Sequence, residues 1–267
     1  MHKSGETVEK IRADVTALRA RRDELLIANG YPADYTDPHY ECSICRDSGY
    51  DGNKMCVCMK RDLVLAGYES AGISRLIREC TFESFDLSYY ESDRKSYDNM
   101  SHIYAMMKSY ALEFNPSSSP NMILFGGTGL GKTHLSVAVT KSIIDKGYDA
   151  VYTGAIGMIS DFENIRFGNS DATASGNSTE RYFNCDFLVI DDMGTEVVNQ
   201  YTTGCVYEII NRRINTGRPT LISCNLNQRE LGSRYTDRIA SRIFGEYLPL
   251  VFSGTDVRRV KLSRNSG

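Results

Sequence analysis

Gly126-Gly127-Thr128-Gly129-Leu130-Gly131-Lys132-Thr133 is the stretch from which the rest of this chain is read. It fits G-x-x-x-x-G-K-[ST], a loop that wraps a polyphosphate. Its glycines let the backbone come close enough for successive N–H groups to point at phosphate oxygens. Lys132 is placed to reach the β- and γ-phosphates, and the Thr133 hydroxyl to hold Mg²⁺. The flanks agree. Asn121-Met122-Ile123-Leu124-Phe125 reads as a short buried strand, and Leu135, Val139, Ser142 and Ile143 follow at helical spacing up to Gly147. A loop between strand and helix aims the helix N-terminus at the anion. An ordinary glycine-rich turn would not need the Lys-Thr pair.

Further strand-like runs lie at 149–153, 187–191, 219–224 and 248–252, with helical patterns between them. That alternation predicts an α/β domain with a five-stranded, mainly parallel sheet. Phe187-Leu188-Val189-Ile190-Asp191-Asp192 is an apolar strand ending in two carboxylates, about 60 residues after the loop and with Gly194 following. This fits a Walker B strand end. Asp191 is expected to hold Mg²⁺, mostly through water, and Asp192 to act as general base or to position the attacking water. Pro219-Thr220-Leu221-Ile222-Ser223-Cys224-Asn225 is another buried strand with a polar end. If it lies between the other two, Asn225 stands near the γ-phosphate; otherwise it is a turn-forming Asn. Arg234, Arg238 and Arg242 are four apart, which predicts one shared helix face. That face is either a solvated basic surface or the source of an arginine finger acting on a neighbour's ATP. Arg258, Arg259 and Lys261 form a second basic cluster.

The N-terminal side reads differently. Val8, Ile11, Val15, Leu18 and Leu25 give residues 6–28 a narrow apolar helical stripe, ended by Asn29-Gly30 and Pro32. Such a stripe packs on another helix, of this chain or a partner, or on its own domain. Cys42, Cys45, Cys56 and Cys58 follow as C-x₂-C-x₁₀-C-x-C. Two close thiolate pairs joined by a glycine-containing loop can close a tetrahedral, structural Zn²⁺ site. His39 is an alternative ligand, and an apo thiol cluster or a redox pair are the alternatives to zinc. Cys80, Cys185, Cys205 and Cys224 stand alone and read as small buried residues. Residues 63–118 read as mostly helical, with 115–120 a linker, and 169–180 as a polar mobile loop.

Composition bounds the function. The chain has 267 residues, enough for one full domain and a small one, and a net charge of −3, which gives no global signal for nucleic acid. No run of about 18 apolar residues is present and the N-terminus lacks a signal-peptide core, so a soluble, cytoplasmic protein without a membrane partner is expected. The eight cysteines then point to metal or thiols rather than a disulfide framework.

In their order these motifs resemble an AAA+ ATPase of the DnaC/DnaI helicase-loader family, close to its DnaC-like phage and mobile-element members. The resemblance covers nearly the whole chain. It rests on the four clustered cysteines, on Phe82-Glu83-Ser84-Phe85-Asp86-Leu87, on Gly126 through Thr133, and on Asp191-Asp192-Met193-Gly194-Thr195-Glu196. It rests also on Ile222-Ser223-Cys224-Asn225-Leu226 and Tyr235-Thr236-Asp237-Arg238-Ile239-Ala240-Ser241-Arg242.

The resemblance implies an AAA+ core without a full helical lid, preceded by a small helical zinc-binding domain. Residues 1–80 would be the helicase-binding part and residues 81–267 the ATPase. ATP would be held by Gly126, Gly127, Thr128, Gly129, Leu130, Gly131, Lys132, Thr133 and His134. Asn225 matches sensor 1, and Arg242 the arginine finger, with Arg238 the alternative. Arg258 matches a sensor 2-like arginine, although Val257 stands where relatives often have Tyr. The family's sheet order would put the Asn225 strand between the two Walker strands. The implied function is loading of a DnaB-type replicative helicase onto single-stranded DNA. ATP bound and hydrolysed with Mg²⁺ at the junctions of a homo-oligomer would gate that loading. Single-stranded DNA would run near 159–167, with Phe162 and Phe167 stacking bases and Arg166 meeting a phosphate, unless these residues are core. The rival readings are an IstB-type transposition helper that binds duplex DNA, against which the cysteine cluster speaks, and a nucleotide-gated adaptor.

Overall fold

A computed structural model describes residues 3–38, 40–70, 74–167 and 179–265. His39 and residues 169–178 of the expected polar loop lie outside the described residues. Contacts divide the chain into two compact units, Met1–Asp51 and Gly52–Gly267.

The first unit is dominated by α1 (Lys3–Ala28). It stops where the sequence predicts: Gly30 takes φ 81°, and Tyr31 N donates back to Leu26 O at 3.0 Å. A left-handed residue costs glycine little, so the last carbonyls are satisfied by a tight C-terminal motif. Arg22 and Asp37 form an ion pair at 2.8 Å that ties the helix to the turn after it. Within the stripe Ile11, Val15, Leu18 and Leu25 are all exposed. The first unit closes with the short strand β1 (Tyr50–Asp51), and the second opens with β2 (Lys54–Met55).

In the second unit α2 (Val57–Ser70), α3 (Ser74–Glu79), a 3-10 turn (Leu87–Tyr90) and α4 (Arg94–Glu113) precede the sheet. Then come β3 (Asn121–Phe125), α5 (Lys132–Asp145), β4 (Ala150–Gly154), α6 (Ala155–Arg166), α7 (Glu180–Asn184) and β5 (Phe187–Met193). The chain ends with α8 (Gln200–Asn215), β6 (Thr220–Cys224), α9 (Gln228–Arg234), α10 (Asp237–Glu246), β7 (Tyr247–Val251) and α11 (Val257–Asn265). The five strands run in the order β4-β5-β6-β3-β7, and every neighbouring pair is parallel. β6 therefore lies between β3 and β5. In a parallel sheet the strand C-termini share one edge, so the phosphate loop, Asp191-Asp192 and Asn225 converge there.

Along the central strands β3, β5 and β6 both sheet faces are buried, which is why those strands read as unbroken apolar runs. Met122 and Leu124 of β3 join a cluster with Met107, Leu135 and Val139. Ile123 and Phe125 face the other way, into a cluster with Met158, Ile209 and Ile239. α2 and α3 pack on α5 and so belong with the sheet. The division at Asp51–Gly52 thus lies N-terminal to the boundary at residue 80 expected on functional grounds.

One expectation fails. Arg234 does not share a helix face with Arg238 and Arg242, because α9 ends at Arg234 and Tyr235 and Thr236 are extended. Tyr235 is buried in the core and breaks the helix there.

Candidate functional site

The sheet edge opens into a cavity of about 260 Å³ lined by Thr128 through His134, Asp192, Asn225 and Arg258. The loop backbone depends on its glycines. Gly131 has φ 87° at the N-terminus of α5, and a Cβ there would stand 2.8 Å from Phe85 Cε2. Gly129 has φ 78°, and a Cβ would collide with the Asp256 carboxylate. Val257 N donates to Gly129 O at 3.0 Å, pinning the start of α11 on the tip of the loop. That pin brings Arg258 to the cavity wall.

Lys132 is only 4% exposed. Its Nζ donates to Gly126 O at 2.7 Å, Gly127 O at 2.8 Å and Asn225 Oδ1 at 2.7 Å. Burial lowers its pKa, with the charges of Asp192 and Asp191 opposing the shift. Asn225 Nδ2 in turn donates to Asp192 Oδ1 at 3.0 Å. Asn225 thus bridges the cation of the loop and the second Walker B carboxylate. Asp191 accepts Thr133 Oγ1 at 3.0 Å, Tyr152 OH at 2.7 Å and the Ser223 hydroxyl. Burial, and then the Asp191 charge, push the Tyr152 phenol well above its ordinary pKa, so it remains a hydroxyl donor. Asp192 takes φ 55°, a left-handed conformation rare for a non-glycine residue, and its N–H donates to Ser223 Oγ at 2.9 Å.

His134 lines the cavity, but its Nε2 lies 2.9 Å from Thr81 O and 3.2 Å from Ser84 Oγ, with its ring edge-on to Phe85. Burial lowers its pKa, so it braces the 81–90 segment as a neutral ring. Arg238 and Arg242 lie on α10, and neither lines this cavity. Sequence reasoning gave no role to Tyr152 or Ser223. Their only signal was a polar group inside an apolar strand, and its partner is on another strand.

Two other predicted groups differ in how far the structure gathers them. The Sγ atoms of Cys42, Cys45, Cys56 and Cys58 lie within 4.8 Å of one another. Four thiolates around a tetrahedral Zn²⁺ stand about 3.8 Å apart for Zn–S bonds of ~2.3 Å, so this set can hold the ion. In the 159–167 segment Phe162 is half-buried against the core: it stacks on Tyr182 at 6.2 Å and packs edge-on against Phe183 at 6.3 Å. Phe167 is 73% exposed, and the Arg166 guanidinium lies 4.6 Å from the Tyr201 ring centroid.

A family model described as IstB-like ATP binding protein matches residues 71–244. The chain belongs to this family. Its IstB-like core is 26% identical over 190 residues to the replicative helicase loader DnaC of Buchnera aphidicola subsp. Baizongia pistaciae, covering 71% of this chain and 73% of that protein. The DnaC loader of Escherichia coli K12 is 24% identical over 192 residues, covering 72% and 74%. A putative ATP-binding protein in an insertion sequence of Mycobacterium tuberculosis is 26% identical over 171 residues, covering 62% and 63%. Among solved structures, the DnaC helicase loader superposes with a TM-score of 0.55 at 22% identity, over 65% of this chain and 97% of that one. DnaI superposes with a TM-score of 0.53 at 18% identity, over 69% and 93%. These likenesses establish the AAA+ fold of this IstB-like protein. Among the described residues no helix is long and apolar enough to cross a membrane.

Proposed function

We propose that this chain is an ATP-dependent loader of a DnaB-type replicative helicase onto single-stranded DNA. The ATPase part rests on the hydrogen-bonded line from Lys132 through Asn225 to Asp192. That line joins the residue that would sense the phosphates to the residue that would take a proton from the attacking water. Asn225 would orient that water, and Thr133 and Asp191 would hold Mg²⁺. When bound, ATP supplies the γ-phosphoryl group that is transferred to water. Lys132 exchanges carbonyl partners for phosphate oxygens, and Arg258 approaches the phosphates from α11.

Arg242 would complete hydrolysis in the cavity of a neighbouring copy, since it does not line its own. The cysteine cluster would hold Zn²⁺ as a structural element. Residues 1–80, with the exposed stripe of α1, would grip the helicase. Arg166 and Phe167 would face single-stranded DNA. The loader role is supported by the DnaC relatives that match over nearly three quarters of their own length.

The test mixes the protein with its host's replicative helicase in size-exclusion chromatography with light scattering, with and without ATP and Mg²⁺. A stable complex that requires residues 1–80 is expected. Absence of a complex, with ATP-dependent assembly on duplex DNA instead, would replace this reading by the transposition-helper role. The insertion-sequence relative favours that second reading.

A further inference from the structure

Glu196 is a carboxylate with only 3% of its surface exposed, two residues past the turn at Gly194, and the site described above makes no use of it. Burying a carboxylate is costly, and an apolar side chain would serve packing alone better. Its bonding explains its presence. Gly194 N donates to Glu196 Oε2 at 2.8 Å, and the buried Tyr235 hydroxyl donates to Oε1. The Glu196 main-chain oxygen accepts Arg234 Nη2 at 2.9 Å. The same turn is tied back to Asp192, whose carbonyl accepts Thr195 N at 3.2 Å and Thr195 Oγ1 at 2.8 Å. Gly194 has φ 99°, and a Cβ there would stand 2.7 Å from Leu226, so the turn has little room to shift alone. Tyr235 and Thr236 are the joint from which α10 starts, and α10 carries Arg238 and Arg242.

We infer that Glu196 and Tyr235 are positioning residues that couple the Asp192 turn of one subunit's own nucleotide site to the arginine helix which that subunit offers to its neighbour. The inference rests on the proposed action of Arg242 in trans. A shift of the Asp192–Gly194 turn pulls Glu196, and Glu196 holds the first residue of the joint before α10. The state of one cavity thereby sets the aim of the finger in the next. Misplacing a reacting group by about 1 Å costs on the order of 10²-fold in rate, so a hydrogen bond that sets the aim is enough to matter.

The experiment is a subunit-mixing assay of full-length protein, with oligo-dT and Mg-ATP. Arg242→Ala subunits keep a cavity and lack a finger; Asp192→Asn subunits keep a finger and a nucleotide-binding cavity but lack the group that takes the proton from water. The mixture should recover hydrolysis that neither has alone. Adding Tyr235→Phe to the Asp192→Asn donor should cut the recovered rate by tenfold or more. Adding the same substitution to the Arg242→Ala acceptor should leave the recovered rate within twofold of the parent mixture.

Equal loss in both placements would mean a general packing role and overturn the inference, as would no loss in either. If the parent mixture recovers nothing, the trans finger itself is wrong and the coupling falls with it. Fluorescent-nucleotide binding by the Arg242→Ala/Tyr235→Phe subunit, expected unchanged, separates misfolding from misplacement.

Discussion

Two buried cations sit at opposite ends of the same sheet, and they are held in different ways. Arg213 is fully buried where β6 begins. Its guanidinium donates to Thr220 Oγ1 at 2.8 Å, Tyr182 O at 2.9 Å, Cys185 O at 3.1 Å and Pro219 O at 2.7 Å. Those acceptors come from α7, the chain after it and the start of β6, so the rigid fork stitches three segments together. Lys132, at the other end, also satisfies its donors, but on two loop carbonyls and one side-chain amide beside a cavity. Phosphate oxygens can replace those partners; nothing can replace the carbonyls around Arg213 without unfolding the corner. A buried charge is scaffold when its acceptors are fixed main chain, and a binding group when its acceptors are exchangeable and face open space.

Substitutions can break this contrast. Arg213→Met should cost roughly 3–5 kcal/mol of stability, because several buried carbonyls lose a charged donor at ~1–3 kcal/mol each. Denaturant unfolding measures it, and an unchanged midpoint would remove the scaffold role. Lys132→Met should lower hydrolysis by about 10²–10³-fold, the usual cost of a lost charge-stabilising donor. Its stability should stay within about 1 kcal/mol of the parent, since cavity water can take over the Gly126 and Gly127 carbonyls. If Lys132→Met unfolds as readily as Arg213→Met, the two cations do not differ.

Asn225→Ala should slow hydrolysis by about tenfold or more while nucleotide binding, followed by fluorescence, persists. That outcome places the amide between the two functions rather than in binding alone. Leu18→Ser on exposed α1 should change stability by no more than about 0.5 kcal/mol. It should still weaken the helicase complex if that stripe is the grip, and an unaffected complex would leave the stripe without a role.

Much of the site was legible because its signals are local. The loop motif, the Asp191-Asp192 pair and the apolar strands are short patterns, and the observed strands agree with the predicted runs to within one or two residues. The cysteine cluster is similar, since chelate spacing is a property of a short stretch. Arg213 gave no signal, because an arginine in the last turn of a helix is ordinarily a surface group. Arg234 misled for the opposite reason. Its spacing fits a helix face, but burial of Tyr235 on Glu196 ends the helix one residue later. Phe162 and Phe167 looked alike in sequence, yet one packs half-buried against the core and the other is exposed.

Local pattern alone was enough to establish a phosphate loop joined to a parallel α/β core, because backbone geometry and burial impose short-range periodicity on residue type. Strand order was not contained in any such pattern. It brings Asn225 to Lys132 across 93 positions of chain, and Tyr152 to Asp191 across 39. Those contacts exist only once parallel strands have aligned their C-terminal ends. The hydrogen bonds of Asn225, Tyr152 and Ser223 are therefore properties of the folded sheet, since contacts between distant elements act through space and leave no mark on sequence spacing.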